Sequence, residues 1–319
     1  MKKMGPVAWV AAAMALSAAS CGPPQGQEQP ASLTVAVQTG PWQFADRPGQ
    51  QLTSRHYRIF TTSNNRPLVR YMPGFMESAY EHYLRLTGLS EPPGPLRPMP
   101  VYLLANRQQW AVMTEEVTGP LREKFLAIEN GGYCYRGVCV FWDLGHFSTF
   151  SIASHEGLHQ FFHHRLRDGL PAWAEEGLCV LAEGFKISTT TVTFTPAHNP
   201  LREGSLRNAI SARHTIRLAK LLSTDPGDYR AGSSVSPPEY YAHLWALMMF
   251  IRSEPPGAPV FIDEQYKREE IPKLWEPFDQ GLARLTISYE KDTWMANPSP
   301  LCGWCPVSTC DFYKPTRRR

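Results

Sequence analysis

Ser154-His155-Glu156-Gly157-Leu158-His159-Gln160, followed by Leu170-Pro171-Ala172-Trp173-Ala174-Glu175-Glu176-Gly177-Leu178, is the stretch that decides how this chain is read. Residues four apart on a helix lie one above the other, roughly 5–6 Å between Cβ atoms, so the imidazoles of His155 and His159 can reach one ion. Imidazole pairs at this spacing suit Zn²⁺. Glu156, one residue after the first histidine, is then placed to act on water at the metal rather than on the metal itself. The flanks supply the required helix: apolar residues at 147, 150, 152, 158, 161, 162 and 166 form an amphipathic pattern with no internal proline. Asp168-Gly169-Leu170-Pro171 stops that helix, and Pro171 opens another that runs through Ala182.

The second helix closely resembles the Trp-x-x-Glu-Gly-x-Ala element of the gluzincins, the zinc peptidase clan of thermolysin and related aminopeptidases. The resemblance implies a fold and a mechanism. In that clan the glutamate before the glycine is the third zinc ligand, here Glu176, with the fourth position left to water. Glu156 would be the general base, passing its proton to the leaving amine. Glu183, two turns past Glu176 and on the same face, matches an acidic position that orients a ligand imidazole. Tyr241 resembles the tyrosine of a Tyr-x-x-Gly helix that stabilises the oxyanion. Leu244 stands for the glycine and His243 for a basic residue, so Tyr240 and a purely structural tyrosine remain alternatives. Ala127-Ile128-Glu129-Asn130-Gly131 faintly resembles the Gly-x-Met-Glu-Asn element whose glutamate binds a free amine; a plain loop explains the same residues. His163 shares the ligand face but lies a further turn on, and reads as a rim or core histidine.

Outside this centre, Tyr57 to Thr62 and Met99 to Leu104 read as strands. Val69 to Thr87, closed by Gly88, and Arg107 to Val117 read as helices, giving a small α/β lobe. Gly131 to Trp142 alternates as a hairpin turning at Arg136-Gly137, which sets Cys134 opposite Cys139 at disulfide distance. In gluzincins a strand in this place pairs with extended peptide substrate. Ile187 to Phe194 reads as a short strand, Ile216 to Leu222 as a short helix and Ser236 to Ile251 as a helix with a capping-type start. Phe261 to Leu285 reads as a charged helix or helix pair. Cys179 reads as a buried thiol.

Lys2 and Lys3 followed by the apolar run Val7 to Ala19 read as a targeting segment, and Cys21-Gly22 resembles a bacterial lipoprotein signal. Ala18 rather than leucine precedes Cys21 by three, so cleavage after Ser20 without lipidation is the alternative. Residues 1–20 are thus expected to be a signal peptide, 21–50 a tether, 51–295 the catalytic domain and 296–319 a tail with Cys302, Cys305 and Cys310. The expected fold is α+β of thermolysin-like type, with a mixed sheet and a mostly helical C-terminal lobe. A formal charge of +3 with no basic cluster before Arg317-Arg318-Arg319 argues against nucleic acid as the partner. The expectation is a Zn²⁺-dependent peptidase of the cell envelope acting on peptide or protein, with a membrane contact only through a lipid on Cys21. The alternatives are a non-catalytic envelope scaffold and a zinc hydrolase of a non-peptide amide or ester.

Overall fold

The computed structural model describes residues 29–94, 97–166, 169–224 and 236–253. The expected signal, Cys21, the helix after Phe261 and the cysteine tail lie outside them. The described residues form a mixed α+β fold. Strands β1 (Ala31–Ser32), β2 (Gln38–Phe44), β3 (Arg47–Thr53) and β4 (Tyr57–Thr61) lead into helix α1 (Arg66–Thr87) and β5 (Met99–Leu104). Then come α2 (Arg107–Thr118), a 3₁₀ turn, α3 (Arg122–Leu126), the hairpin β6 (Gly132–Tyr135) and β7 (Val138–Trp142), and α4 (His146–Arg165). Next are α5 (Ala172–Ala182), β8 (Phe185–Ile187), β9 (Thr191–Phe194), α6 (Pro200–Ser211), α7 (Leu218–Ser223) and α8 (Pro237–Ser253).

The main sheet has strand order β2-β3-β4-β5-β7-β6, with β4, β5 and β7 parallel and the outer strands antiparallel. Both faces are covered, which is why β5 and β7 read as nearly continuous apolar runs. Cys139 and Phe141 face the core shared with α1, α4 and α5, while Val140 and Trp142 pack with Trp110 and Met113 of α2. β1, β9 and β8 form a second, three-stranded sheet.

Local chemistry explains the boundaries. Asn65 caps α1 by accepting from the Leu68 amide, and Gly88 ends it in the left-handed conformation at φ 70°. Arg136 and Gly137 both have positive φ, the two-residue turn that matches strand twist, and the register is the expected Cys134 opposite Cys139. The capping-type start of α8 is present, with the Ser236 amide donating to Glu239 Oε2 at 2.7 Å.

Three expectations are corrected. Residues 21–50 are not a tether throughout: 38–44 and 47–53 pair along their length as β2 and β3 and extend the sheet, and Leu33 is buried in the core. These strands carry Pro41, Pro48, Gly40 and Gly49 and bury only Phe44 and Leu52, so they lack the alternation that marks a strand. The segment 187–194 is not one strand but the end of β8, a turn and β9. The disulfide is not formed. Cys134 and Cys139 are free thiols, and Cys139 Sγ donates instead to the Glu156 carbonyl at 3.1 Å.

Candidate metal centre

Helix α4 is fixed on every side before its histidines are considered. The Tyr83 hydroxyl of α1 donates to the Ser154 carbonyl at 2.7 Å. Ser154 Oγ donates to the Ala182 carbonyl at 2.7 Å, and Gln160 Nε2 donates to the carbonyls of Pro100 and Gly137 at 2.7 and 2.8 Å. Gly157 is required by this packing. A Cβ there would lie 2.6 Å from the Tyr83 hydroxyl and 3.1 Å from Met76 Cε. Gly177 does the same for α5 against α8, where a Cβ would meet Met248 at 2.6 Å. The glycines of both sequence elements therefore serve close approach of helices.

Against that frame three donor atoms converge. Glu176 Oε2 lies 3.2 Å from His155 Nε2 and 3.5 Å from His159 Nε2. A tetrahedral ion with bonds of about 2.0–2.1 Å sets its ligand atoms about 3.3–3.4 Å apart, so these spacings fit a shared ion. The far side of each ring is held as well: His155 Nδ1 is 2.8 Å from Glu183 Oε1, and His159 Nδ1 is 2.8 Å from Glu175 Oε1. With Nδ1–H donating to a carboxylate, each ring in its neutral form would turn its Nε2 lone pair toward Glu176. Two nitrogens and one carboxylate oxygen are the donor set of an open zinc site.

The paired carboxylates and imidazoles shift one another. Burial pulls His155 down, but the hydrogen bonds and charge of Glu176 and Glu183 outweigh it and hold it up at about 9. Burial likewise opposes Glu176, yet the charges and hydrogen bonds of His159 and His155 keep it well below the usual carboxylate range. Glu183 is buried too, and Arg202 and His155 hold it down at about 2. Arg202 grips Glu183 in two parallel bonds, Nε to Oε2 and Nη2 to Oε1, both 2.8 Å, and Asn199 Nδ2 adds a third at 3.3 Å.

Glu156 lies near the same histidines without being paired to either ring. The Cys134 backbone of β6 lies near its carboxylate, and burial raises its pKa against the pull of His155 and His159. Tyr241 sets its ring edge-on to His155, centroids 5.8 Å apart at 89°, with the Arg202 guanidinium 5.1 Å over its face. Tyr240 is fully buried and donates its hydroxyl to the Thr224 carbonyl at 3.2 Å. The structure therefore brings His155, Glu156, His159, Glu176, Glu183 and Tyr241 together. Glu129 is exposed in the loop before β6, and His163 is exposed beside the Arg136-Gly137 turn.

Glu175, Asn199 and Arg202 escaped the sequence reading. Glu175 stands beside Glu176 in an acidic pair, which is a usable signal; Asn199 and Arg202 open a helix with no motif of their own. Cys179 was read only as a buried thiol, yet it offers a sulfur that, with one donor nitrogen from each of His155 and His159, forms a group whose atoms lie within 4.8 Å of one another. No family model, curated protein or solved structure matches the chain.

Proposed function

We propose that this chain is a zinc-dependent hydrolase of the gluzincin type that cleaves peptide bonds, and that it works in the bacterial cell envelope. The observation that carries the reading is one carboxylate oxygen, Glu176 Oε2, facing the Nε2 atoms of two histidines whose Nδ1 atoms are each tied to another carboxylate. His155, His159 and Glu176 would hold the ion. Zinc in such a site supplies a Lewis acid and lowers the pKa of water from 15.7 toward about 7.

The chain's own residues do the rest. Glu156 has its carboxylate at the same site and a pKa raised by burial, the direction that suits a group taking a proton and later giving it to a leaving amine. Tyr241, beside His155, donates to the developing oxyanion. Among the described residues strand β6 is the edge of the sheet, paired only with β7, and an extended substrate could add there. Tyr135 and Val138 bracket a two-residue turn and form its closing hydrogen-bonded pair, so the backbone groups of Cys134 and Gly132 point outward from the hairpin. The Cys134 backbone lies near Glu156 on that outer side, so an extended peptide added to β6 would run past the base.

A peptide-library digest of purified protein, run with and without chelator alongside a metal assay, tests the reading. Chelator-sensitive cleavage with one zinc per chain is expected. Zinc without cleavage would favour a scaffold that keeps the site; ester or non-peptide amide turnover alone would move the substrate class.

A further inference from the structure

Resting on that zinc reading, we propose that Cys179 is a fourth protein ligand of the same ion, so that a thiolate closes the resting site. Cys179 lies one turn past Glu176 on α5, and residues three apart share a helix face. Its side chain is fully buried and groups with the two histidines. One donor nitrogen from each histidine and the Cys179 sulfur fall within 4.8 Å of one another.

The distances decide what such a cluster can do. In a tetrahedral site with zinc–nitrogen bonds of about 2.0–2.1 Å and a zinc–sulfur bond of about 2.3 Å, nitrogen and sulfur are about 3.6 Å apart. Toward each histidine nitrogen the sulfur therefore needs to close by at most roughly an ångström. On binding, the thiol gives its proton to solvent and the thiolate takes the coordination position.

A site with four protein ligands has no open position, whereas a hydrolytic one keeps one open. Cys179 then acts as a brake that must leave the ion before substrate is turned over. Thiolate is also a soft ligand, so the same residue biases the site toward zinc and cadmium over harder divalent ions.

The test uses the full chain with Cys21, Cys302, Cys305 and Cys310 replaced by serine, loaded with one equivalent of Co²⁺. The expected spectrum has visible d–d bands together with a near-ultraviolet sulfur-to-cobalt charge-transfer band. Cys179→Ala should keep the visible bands and lose the charge-transfer band, while Cys134→Ala and Cys139→Ala keep both. Zinc-edge X-ray absorption on the same parent chain needs no change at 179, and should find one sulfur neighbour at about 2.3 Å. Visible bands with no charge-transfer band, or only nitrogen and oxygen around zinc, would overturn the inference and leave the zinc reading standing. Loss of the band in the Cys134 or Cys139 variant would assign the sulfur to a different residue. A parent chain that binds neither ion would overturn both readings.

Discussion

Two buried histidines in this molecule are held in the same way among different neighbours. His155 has Glu183 on Nδ1 and Glu176 on Nε2; His56 has Glu77 on Nδ1 at 2.5 Å and Glu91 on Nε2 at 3.1 Å. Both carry raised pKa values because paired carboxylates outweigh burial. The difference lies in what else faces the second carboxylate. Glu176 meets a second imidazole, His159, on the same oxygen, whereas Glu91 meets the Arg55 guanidinium at 2.6 Å. A cation already sits where an ion would have to go at His56. An imidazole between two carboxylates is thus a clamp by default, and only where a second imidazole converges on one of them, as at Glu176, is there a donor set that an ion could share.

The largest effect that can break this contrast is metal loss. Alanine at His155, His159 or Glu176 should remove most of the zinc measured by atomic absorption on purified protein, while alanine at His56, Glu77 or Glu91 should leave one zinc per chain. A Glu176→Ala protein that kept its zinc while Glu175→Ala lost it would move the third ligand by one residue.

The next concerns the one acidic residue of the site that the histidines do not grip. Glu156 lies near the Cys134 backbone and is not paired to an imidazole nitrogen, so Glu156→Gln should leave zinc content and folding intact and lower peptide hydrolysis by about 10²- to 10⁴-fold. Unchanged turnover would sink the role of proton carrier.

Third comes the tyrosine pair. Adjacent helix residues point roughly 100° apart, and here Tyr241 takes the direction of His155 while Tyr240 enters the core toward Thr224. Tyr241→Phe should therefore lower kcat by about 10²- to 10³-fold with little change in KM. Tyr240→Phe should instead cost about 1 kcal/mol of stability, a typical buried hydrogen bond. The reverse pattern in kinetics would exchange the two residues.

What the sequence disclosed and what it withheld follow the same division. The pair His155 and His159 is local, so a spacing of four exposes it, and the acidic residues of α5 are tied to their helix by Trp173 and Gly177. The partners of Glu183 come from α6, sixteen and nineteen residues further on, with no period linking them. His56, Glu77 and Glu91 are separated by 21 and 35 residues, and only folding makes them neighbours. In the fold, β4, β5 and the β6–β7 hairpin carry apolar alternation or a turn signal; β2 and β3 carry neither, because each buries a single side chain and asks little of the rest. The hairpin register of Cys134 and Cys139 was legible, whereas the bonding state was not, since chain geometry permits both thiols and disulfide.

A smaller effect sharpens the metal-site half of the contrast. Glu183 and Glu175 hold the rings without facing the ion, so Glu183→Ala and Glu175→Ala should each weaken zinc binding by about 10- to 100-fold rather than abolish it. Loss as complete as in His155→Ala would make either of them a ligand.

The smallest effect tests whether the His56 clamp is charged. Burial alone would lower its pKa, but the hydrogen bonds and charges of Glu77 and Glu91 raise it above the ordinary value. Glu77 is held below the carboxylate range because hydrogen bonds from His56 and Ser54 outweigh burial, and Glu91 is lowered by its hydrogen bond to His56. Other charged or titratable groups facing the ring are Arg55, paired with Glu91, and Tyr80, whose ring stacks on His56 at 3.9 Å and accepts a hydrogen bond from Arg165. A raised folded-state pKa stabilises the protein fully below the unfolded value of about 6.5, and that contribution is lost as pH rises through the folded value. The depressed carboxylates work in the other direction, contributing above about 4.5 and failing below it. The difference in unfolding free energy between the parent and His56→Gln, measured with zinc bound at each pH, should therefore be greatest between those limits, at about 1–2 kcal/mol. It should shrink on the alkaline side. Taking the difference at each pH cancels the titration of the other histidines. A difference that stayed constant from about pH 6 to about pH 9 would mean that His56 is neutral throughout. The two histidines would then differ in charge as well as in neighbours, and the clamp would be only a pair of hydrogen bonds.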